Sequence, residues 1–469
     1  MLAPNTKQAA PNLSRIAPSE VKRHLLSFLD PNGSLFWWHG QLLRGISHSQ
    51  AELYRRLFHA GVVANLVEKK LLIETELTTF VLEPYDLVLK HRVLPFVSYA
   101  FEWCGEMLRD AALMLLDLLR ELARHELTLQ DAHPWNVLFD GIRPCLVDFG
   151  SITVSPAAEP WAAHKEFLRC FLYPLQLMAV GHGRAARAFL FDWDRGVQPA
   201  EFAALTQPTA APQLEEKGML WWKHRIAIPP ARLFAAPPVP ASFPNRAAYA
   251  EAMHREVEAV PLPKTPSAWS GYYDACFPTF TPSTTWISKH RVNHQLLSEL
   301  KPKSVLDIGS NRGWYAQLAA HLGAKVVAFD ADEVCVTRLY ADAKQRNCDI
   351  LPLVMSFQKP TPGYGLGEWF PPAIERLRCD LVLALGVVHH LVFLDGLRFD
   401  QIVAGLADYS KHSLIVEFAP KEDQHVAKWD ATGKDWYTLE NFKSALAYRF
   451  KSIRLLPLDP PRIVLLCQN

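Results

Sequence analysis

The sequence predicts a two-part chain of the α/β class: a C-terminal seven-stranded, mostly parallel sheet with one terminal antiparallel strand, preceded by an α+β region. Three observations carry this. From Ser304 onward, apolar runs of strand length alternate with helical text, a pattern that demands a parallel sheet covered by helices on both faces. The last two runs are joined only by residues 458–461, too short for a crossover, so they form an antiparallel hairpin. A proline- and alanine-rich stretch, 207–268, separates this alternation from an N-terminal region of hairpins and single helices.

Taken in order, residues 1–33 read as a flexible arm with one helical patch near 19–29. Residues 34–46 read as two strands around a His39-Gly40 turn. Residues 47–70 read as a helix with Ser49 as its N-cap, built on Leu53, Leu57, Val62 and Leu66. Segments 71–80 and 87–99 are extended. Residues 106–124 form an amphipathic helix on Met107, Leu108, Ala111, Leu115 and Leu118. Short strands at 137–139 and 145–147 flank Asp140-Gly141, and helical text runs from 161 to 191. The first domain is therefore 34–206. The linker, 207–268, carries short helices at 219–224 and 246–257. The second domain, 269–469, has strands at 304–308, 325–329, 349–355, 380–385, 413–418, 450–457 and 462–467.

The chain has 469 residues, about half of them apolar, and a formal charge of +1. This is globular composition with no electrostatic footprint for nucleic acid. No apolar run reaches membrane-spanning length. The eight cysteines are scattered, with no C-x-x-C pair, which fits buried thiols in a reducing compartment. A cytoplasmic protein is expected.

Chemistry concentrates first in Val305-Leu-Asp-Ile-Gly-Ser-Asn-Arg-Gly-Trp. Gly309 and Gly313 permit a sharp strand-to-helix turn and a close backbone approach to a ligand. The spacing is Asp-x-Gly-x-x-x-Gly, not that of dinucleotide sites. It resembles the first S-adenosylmethionine (SAM) motif of class I methyltransferases, a Rossmann-like fold. The resemblance implies that Asp307, Gly309, Ser310, Asn311 and Gly313 cradle the methionine half of SAM. Asp330, ending the next strand, is the candidate for the ribose hydroxyls, and Asp332 suits a helix N-cap. Ser356 stands where many relatives carry an acid for the adenine amine. The fourth strand runs into His389-His390. Histidine titrates near neutrality and suits a proton carried by an acceptor hydroxyl, so both are catalytic candidates, with Glu417 as a third. Leu385-Gly-Val-Val replaces the Asn-Pro-Pro-Tyr signature of amino-methylating DNA enzymes, which points to O-methylation.

A second constellation lies upstream. Asp131-Ala-His-Pro-Trp-Asn followed by Asp148-Phe-Gly resembles the catalytic and metal-binding loops of aminoglycoside-phosphotransferase-type kinases. That resemblance implies Asp131 for an acceptor hydroxyl, and Asn136 and Asp148 for magnesium on ATP. No glycine-rich phosphate loop or Val-Ala-x-Lys strand precedes them. Arg44 could stand in for the lysine with Glu52 as ion-pair partner, but both read more simply as surface residues. The lobe is therefore expected to be an accessory module. A bifunctional kinase and methyltransferase is the alternative.

Taken whole, Ser98-Tyr-Ala-Phe-Glu-Trp, Thr128-Leu-Gln-Asp-Ala-His-Pro-Trp-Asn, the Asp307 loop, Pro360-Thr-Pro-Gly and Val388-His-His-Leu resemble a family of bacterial SAM-dependent methyltransferases that includes rhizobial nodulation proteins of the NoeA type. The resemblance covers the chain from about Ser34 and implies methylation of a saccharide or small-molecule acceptor. In domain content the chain is also similar to the WbdD-type O-antigen terminators, whose two activities stand in the reverse order.

Overall fold

The computed structural model describes residues 14–27, 32–192, 195–206, 234, 237–429 and 431–469. The C-terminal sheet contains β1 (Ser304–Ile308), β2 (Lys325–Asp330), β3 (Ile350–Val354), β4 (Cys379–Ala384), β5 (Ser410–Phe418), β6 (Ser452–Pro457) and β7 (Ile463–Gln468). Their spatial order is β3-β2-β1-β4-β5-β7-β6. The first five are parallel, and β7 inserts antiparallel between β5 and β6. The expected antiparallel strand is thus last in sequence but second from the sheet edge. Strand order reverses between β1 and β4, and in an open α/β sheet that switch point leaves a crevice at the carboxyl ends of the strands. The Asp307–Gly313 loop and the His389-His390 segment are both delivered there.

The N-terminal lobe centres on five strands: Lys22–Arg23, Gly33–Trp38, Gln41–Ile46, Leu87–His91 and Thr75–Leu77, in that spatial order. Adjacent strands in this sheet are antiparallel. His39 and Gly40 both take positive φ, 46° and 75°, the two-residue geometry that matches strand twist in a hairpin. Helix Gly105–Ala123 packs against helix Arg246–Glu258 and strands Leu127–Leu129 and Arg143–Leu146, with its Met107, Leu108, Ala111, Leu115 and Leu118 face buried.

Several expectations change. The arm is not loose beyond residue 13: Ser14–Arg15 pairs with Phe80–Val81, Ile16 is buried, and Lys22–Arg23 joins the sheet. Among its described residues, the helical patch near 19–29 reduces to a 3-10 turn at Pro18–Glu20. The 47–70 helix divides into His48–His59 and Val62–Glu68 at Gly61, whose φ of 74° no helix accommodates, and its N-cap is Ser47 rather than Ser49. The helical text of 161–191 divides into shorter helices, and Pro199–Thr206 adds one that was not expected.

The linker boundary also moves. The expected helix at 219–224 lies outside the described residues. Helix Arg246–Glu258, by contrast, belongs to the lobe: Asn245 caps it by accepting from the Ala248 amide at 2.9 Å, and Tyr249, Met253 and Val257 are buried. Arg246 is 1% exposed. Its guanidinium donates to the carbonyls of Pro156 (2.6 Å), Glu159 (3.0 Å) and Leu127 (3.2 Å), satisfying backbone acceptors that burial would otherwise leave unpaired. Proline and alanine content marked the segment as a linker because composition cannot register such contacts.

Candidate functional site

Three residues with positive φ, Gly309 (66°), Asn311 (53°) and Gly313 (69°), turn the chain from β1 into helix Trp314–His321. An added Cβ would fall 2.6 Å from Val387 Cγ1 at Gly309 and 2.6 Å from Leu339 Cδ1 at Gly313. In sequence the two glycines suggest room for a ligand. The space is taken instead by two protein side chains, one from the loop after β4 and one from helix Glu333–Arg346. Both glycines therefore close-pack the switch point.

Asp330 braces the loop. Its Oδ2 accepts the Asn311 amide at 2.8 Å and its Oδ1 the Asp332 amide at 2.9 Å. Asp332 caps the next helix, accepting from Val334 at 3.0 Å, as its sequence position suggested. Asp307 is 3% exposed, and burial pushes its carboxyl up to about 7. Asp307 Oδ2 and Ser310 Oγ are buried with no hydrogen-bond partner, so two polar atoms at this strand end have unmet capacity.

His389 and His390 lie on helix Val388–Phe393, ring centroids 4.4 Å apart. Burial, followed by the neighbouring His390 and Arg462, pushes His389 down to about 3. Burial also lowers His390. Trp429 stacks on His389 at 5.6 Å and meets His390 edge-on at 5.0 Å, while Trp269 meets His390 from another side at 5.0 Å. The Trp269 carbonyl accepts from Asn311 Nδ2 at 3.1 Å, which ties this aromatic wall to the Asp307 loop. Glu417 is fully buried between Lys289 (2.5 Å) and Arg462 (3.2 Å), and Arg462 also holds Asp423 at 2.7 Å. Burial raises the Glu417 carboxyl, but these two cations more than offset it and hold it below its ordinary range. A carboxylate held ionised between two cations is a poor proton acceptor, so the structure turns this catalytic candidate into a counter-ion. Lys289, Arg462, Trp269 and Trp429 escaped the sequence reading. Each comes from a different segment, and none stands in a motif.

In the N-terminal lobe the two motif loops are bound together. Leu127–Leu129 pairs with Ile152–Val154, and Val137–Asp140 pairs with Arg143–Leu146. Between them Gln130 N–H donates to the Ser151 carbonyl (2.9 Å), Asp131 N–H to Ser151 Oγ (3.2 Å), and Val147 N–H to the Asn136 carbonyl (2.9 Å). Asp131, Asn136 and Asp148 thus share one junction. Arg44 is buried, not on the surface, and its Nη2 lies 3.1 Å from Asp148 Oδ1. Glu52, its expected partner, is exposed. The same Oδ1 accepts the Gly150 amide at 3.2 Å, while Gly150 O accepts Asn32 Nδ2 at 3.1 Å and Tyr54 OH at 3.3 Å. The buried Arg44 guanidinium competes with a divalent ion for this carboxylate. Among the described residues there is also no group of three or more His, Cys, Asp or Glu side chains able to hold a metal.

The geometry defines a mixed α/β chain whose mostly parallel sheet presents a braced glycine loop at its switch point. Along nearly its whole length the chain is similar to Nodulation protein NoeA of Rhizobium meliloti (strain 1021), 28% identical over 476 residues, covering 95% of this chain and 94% of that one. No protein-family model matches. Among solved structures it is similar to the bifunctional kinase-methyltransferase WbdD, with 21% identity, a TM-score of 0.31 and 42% of each chain covered, less than half of WbdD. It is also similar to magnesium protoporphyrin IX methyltransferase ChlM from Synechocystis PCC 6803 with bound SAM, with 17% identity, a TM-score of 0.27, 40% of this chain and 86% of that one. At these TM-scores the fold rests on the strand order above.

Proposed function

We propose that residues 269–469 form a SAM-dependent methyltransferase domain acting on a hydroxyl of a saccharide or small molecule, with the N-terminal lobe, 34–206 together with helix Arg246–Glu258, as an accessory module. The observation that carries this reading is the strand-end loop: Asp330 bracing the Asn311 amide, with buried and unpartnered oxygens on Asp307 and Ser310. An aminoacyl group bearing an ammonium meets those unmet acceptors. Asp307 would receive the ammonium, Ser310 and Asn311 would line the methionine half, and Asp330, with lone pairs beyond its two amide contacts, would take the ribose hydroxyls. Bound there, SAM supplies an electrophilic methyl group. The chain's own part is to align the acceptor and accept its proton. His390 is the better-suited candidate, since His389 is more deeply buried and further lowered. All eight cysteines are free thiols, consistent with a reducing compartment such as the cytoplasm. Among the described residues no helix is long and apolar enough to cross a membrane.

The bifunctional alternative requires magnesium on Asn136 and Asp148, and the Arg44 pairing weighs against it. Calorimetric titration with SAM tests the main reading. Charged hydrogen bonds of ~1.5–3 kcal/mol predict that Asp330→Ala weakens binding by roughly 10- to 100-fold. Unchanged affinity would remove the cofactor assignment.

A further inference from the structure

Asp307 and Glu417 flank the end of β4. Asp307 pairs with Leu383 of β4, and Leu383 pairs with Ile415 of β5, two residues before Glu417. Between them β4 runs into Gly386, which has no side chain to fill the gap. A Cβ there would lie 3.7 Å from Glu417 Oε2 and 3.8 Å from Lys289 Nζ. The next residue, Val387, is the one that packs on Gly309. The Lys289 ammonium and the Asp307–Gly313 loop thus meet on either side of the turn at Gly386-Val387.

Lys289 is held in place from three directions. Its helix, Ser288–Leu300, is tied at its first residue to the hairpin of β6 and β7, where Ser288 Oγ donates to Asp459 Oδ2 at 2.7 Å. Its ammonium lies 2.5 Å from Glu417 Oε2. It also lies 5.2 Å from the centre of the Tyr315 ring, in the first turn of the helix that follows the glycine loop. The Lys289 side chain is 13% exposed. Glu417 has a second cation, Arg462, on Oε1, so Lys289 is not its sole counter-ion. An ammonium carries three donors, and among the described residues Glu417 is the acid that Lys289 pairs with. At Asp307, burial raises the carboxyl, and the Ala316 amide and the Lys289 charge act against that rise. Asp307 and Lys289 therefore share one electrostatic environment.

We propose that Lys289 binds the carboxylate of the methionine half of SAM while Asp307 takes its ammonium. The assignment rests on the methyltransferase reading and adds to it the choice of donor. An acid and a cation at neighbouring strand ends match an intact α-amino acid. Decarboxylated SAM presents the same ammonium, sulfonium and adenosine but brings nothing for Lys289, so the site disfavours it.

The test is calorimetric titration of the full-length protein with SAM, decarboxylated SAM and 5′-methylthioadenosine, which lacks the aminoacyl chain altogether. The wild type should bind SAM about 10- to 100-fold more tightly than decarboxylated SAM, the size of one charged hydrogen bond. Lys289→Met should remove that preference and Lys289→Arg should keep most of it. Neither should change the affinity for 5′-methylthioadenosine. Should Lys289→Met fail to fold because Glu417 loses a cation, Lys289→Met with Glu417→Gln removes both charges and should lose the preference in the same way. Equal affinities for the two donors in the wild type, or a preference that survives Lys289→Met, would overturn the assignment and leave SAM as the cofactor. Equal weakening of all three ligands in Lys289→Met would overturn it too, since Lys289 would then serve Glu417 alone. No binding of SAM to the wild type would remove the cofactor reading and this assignment with it.

Discussion

Glu102 of the N-terminal lobe and Arg376 of the C-terminal domain form an ion pair at 2.6 Å with side chains 1% and 4% exposed. Thr361 Oγ1 donates to the same carboxylate at 2.7 Å, and the guanidinium lies over the Tyr99 ring at 3.7 Å. A second bridge joins Asp110 to Tyr340 OH at 2.5 Å. Together with the continuous apolar core beneath them, these contacts make the two parts of the chain one packed unit.

Removing one partner of a buried pair leaves a bare charge, which costs ~3–5 kcal/mol. Arg376→Met should therefore destabilise by about that amount, and Arg376→Met with Glu102→Gln by clearly less. Urea unfolding of the two single variants and the double variant measures this coupling. Additive losses would mean that the pair is not what joins the halves.

The Arg44–Asp148 pairing predicts that the wild-type protein binds neither Mn²⁺ nor Mg-ATP with an affinity that depends on Asp148. Calorimetry with Mg-ATP, and electron paramagnetic resonance with Mn²⁺, should give the same weak or absent signal in the wild type and in Asp148→Asn. Arg44→Met should unmask Mn²⁺ binding by freeing the carboxylate. Tight Mg-ATP binding that disappears in Asp148→Asn would restore the bifunctional reading.

Cofactor affinity should depend on pH through Asp307. Its carboxyl is raised to about 7, so without ligand it is largely protonated below neutrality and presents no charge to an ammonium. SAM affinity should rise as pH increases from 6 to 8, and Asp307→Asn should be weaker and flat across that range. A pH-independent wild type would dissociate Asp307 from the ammonium.

Stability should fall on mild acidification. His91 and His389 are lowered to about 3 by burial, and His290 to about 4. Below 6.5 the unfolded chain takes up protons at these positions and the folded chain does not, so stability drops as pH falls from 6.5 toward 4. For the two most buried, His91 and His389, the loss is ~1.4 kcal/mol per pH unit each. Asp307 works in the opposite sense, since its raised value favours the folded state as pH falls from 7 toward 3.8, and so offsets one histidine. Urea midpoints between pH 7 and 5 should decline in the wild type and decline less in His91→Gln.

Gly313→Ala places a Cβ 2.6 Å from Leu339 Cδ1 at a φ of 69°. Overpacking together with a left-handed backbone predicts a loss of ~1–3 kcal/mol, measurable by thermal unfolding. Combined with Leu339→Ala, itself costly in the core, the loss should be smaller than the sum of the two single losses, and additive losses would mean that backbone strain alone is responsible.

The sequence by itself determined whatever is local or periodic. Alternating apolar runs specify strands and helices because burial of one face is a short-range requirement. The Asp307–Gly313 loop was legible because only glycine tolerates the turn at two of its positions, and Asp332 because an N-cap acts within three residues. The hairpin formed by β6 and β7 followed from the length of its connection. Tertiary structure alone decided what each charged or aromatic side chain meets. Arg44 reads as a surface residue until strand Gln41–Ile46 is laid against the Asp148 loop. Glu417 reads as a free acid until Lys289 and Arg462, 128 and 45 residues distant, close on it. Arg246 reads as linker until its guanidinium meets four backbone carbonyls. The reason is physical: pKa, ion pairing and hydrogen-bond satisfaction are set by the dielectric and the partners that folding brings together, and one-dimensional spacing encodes neither.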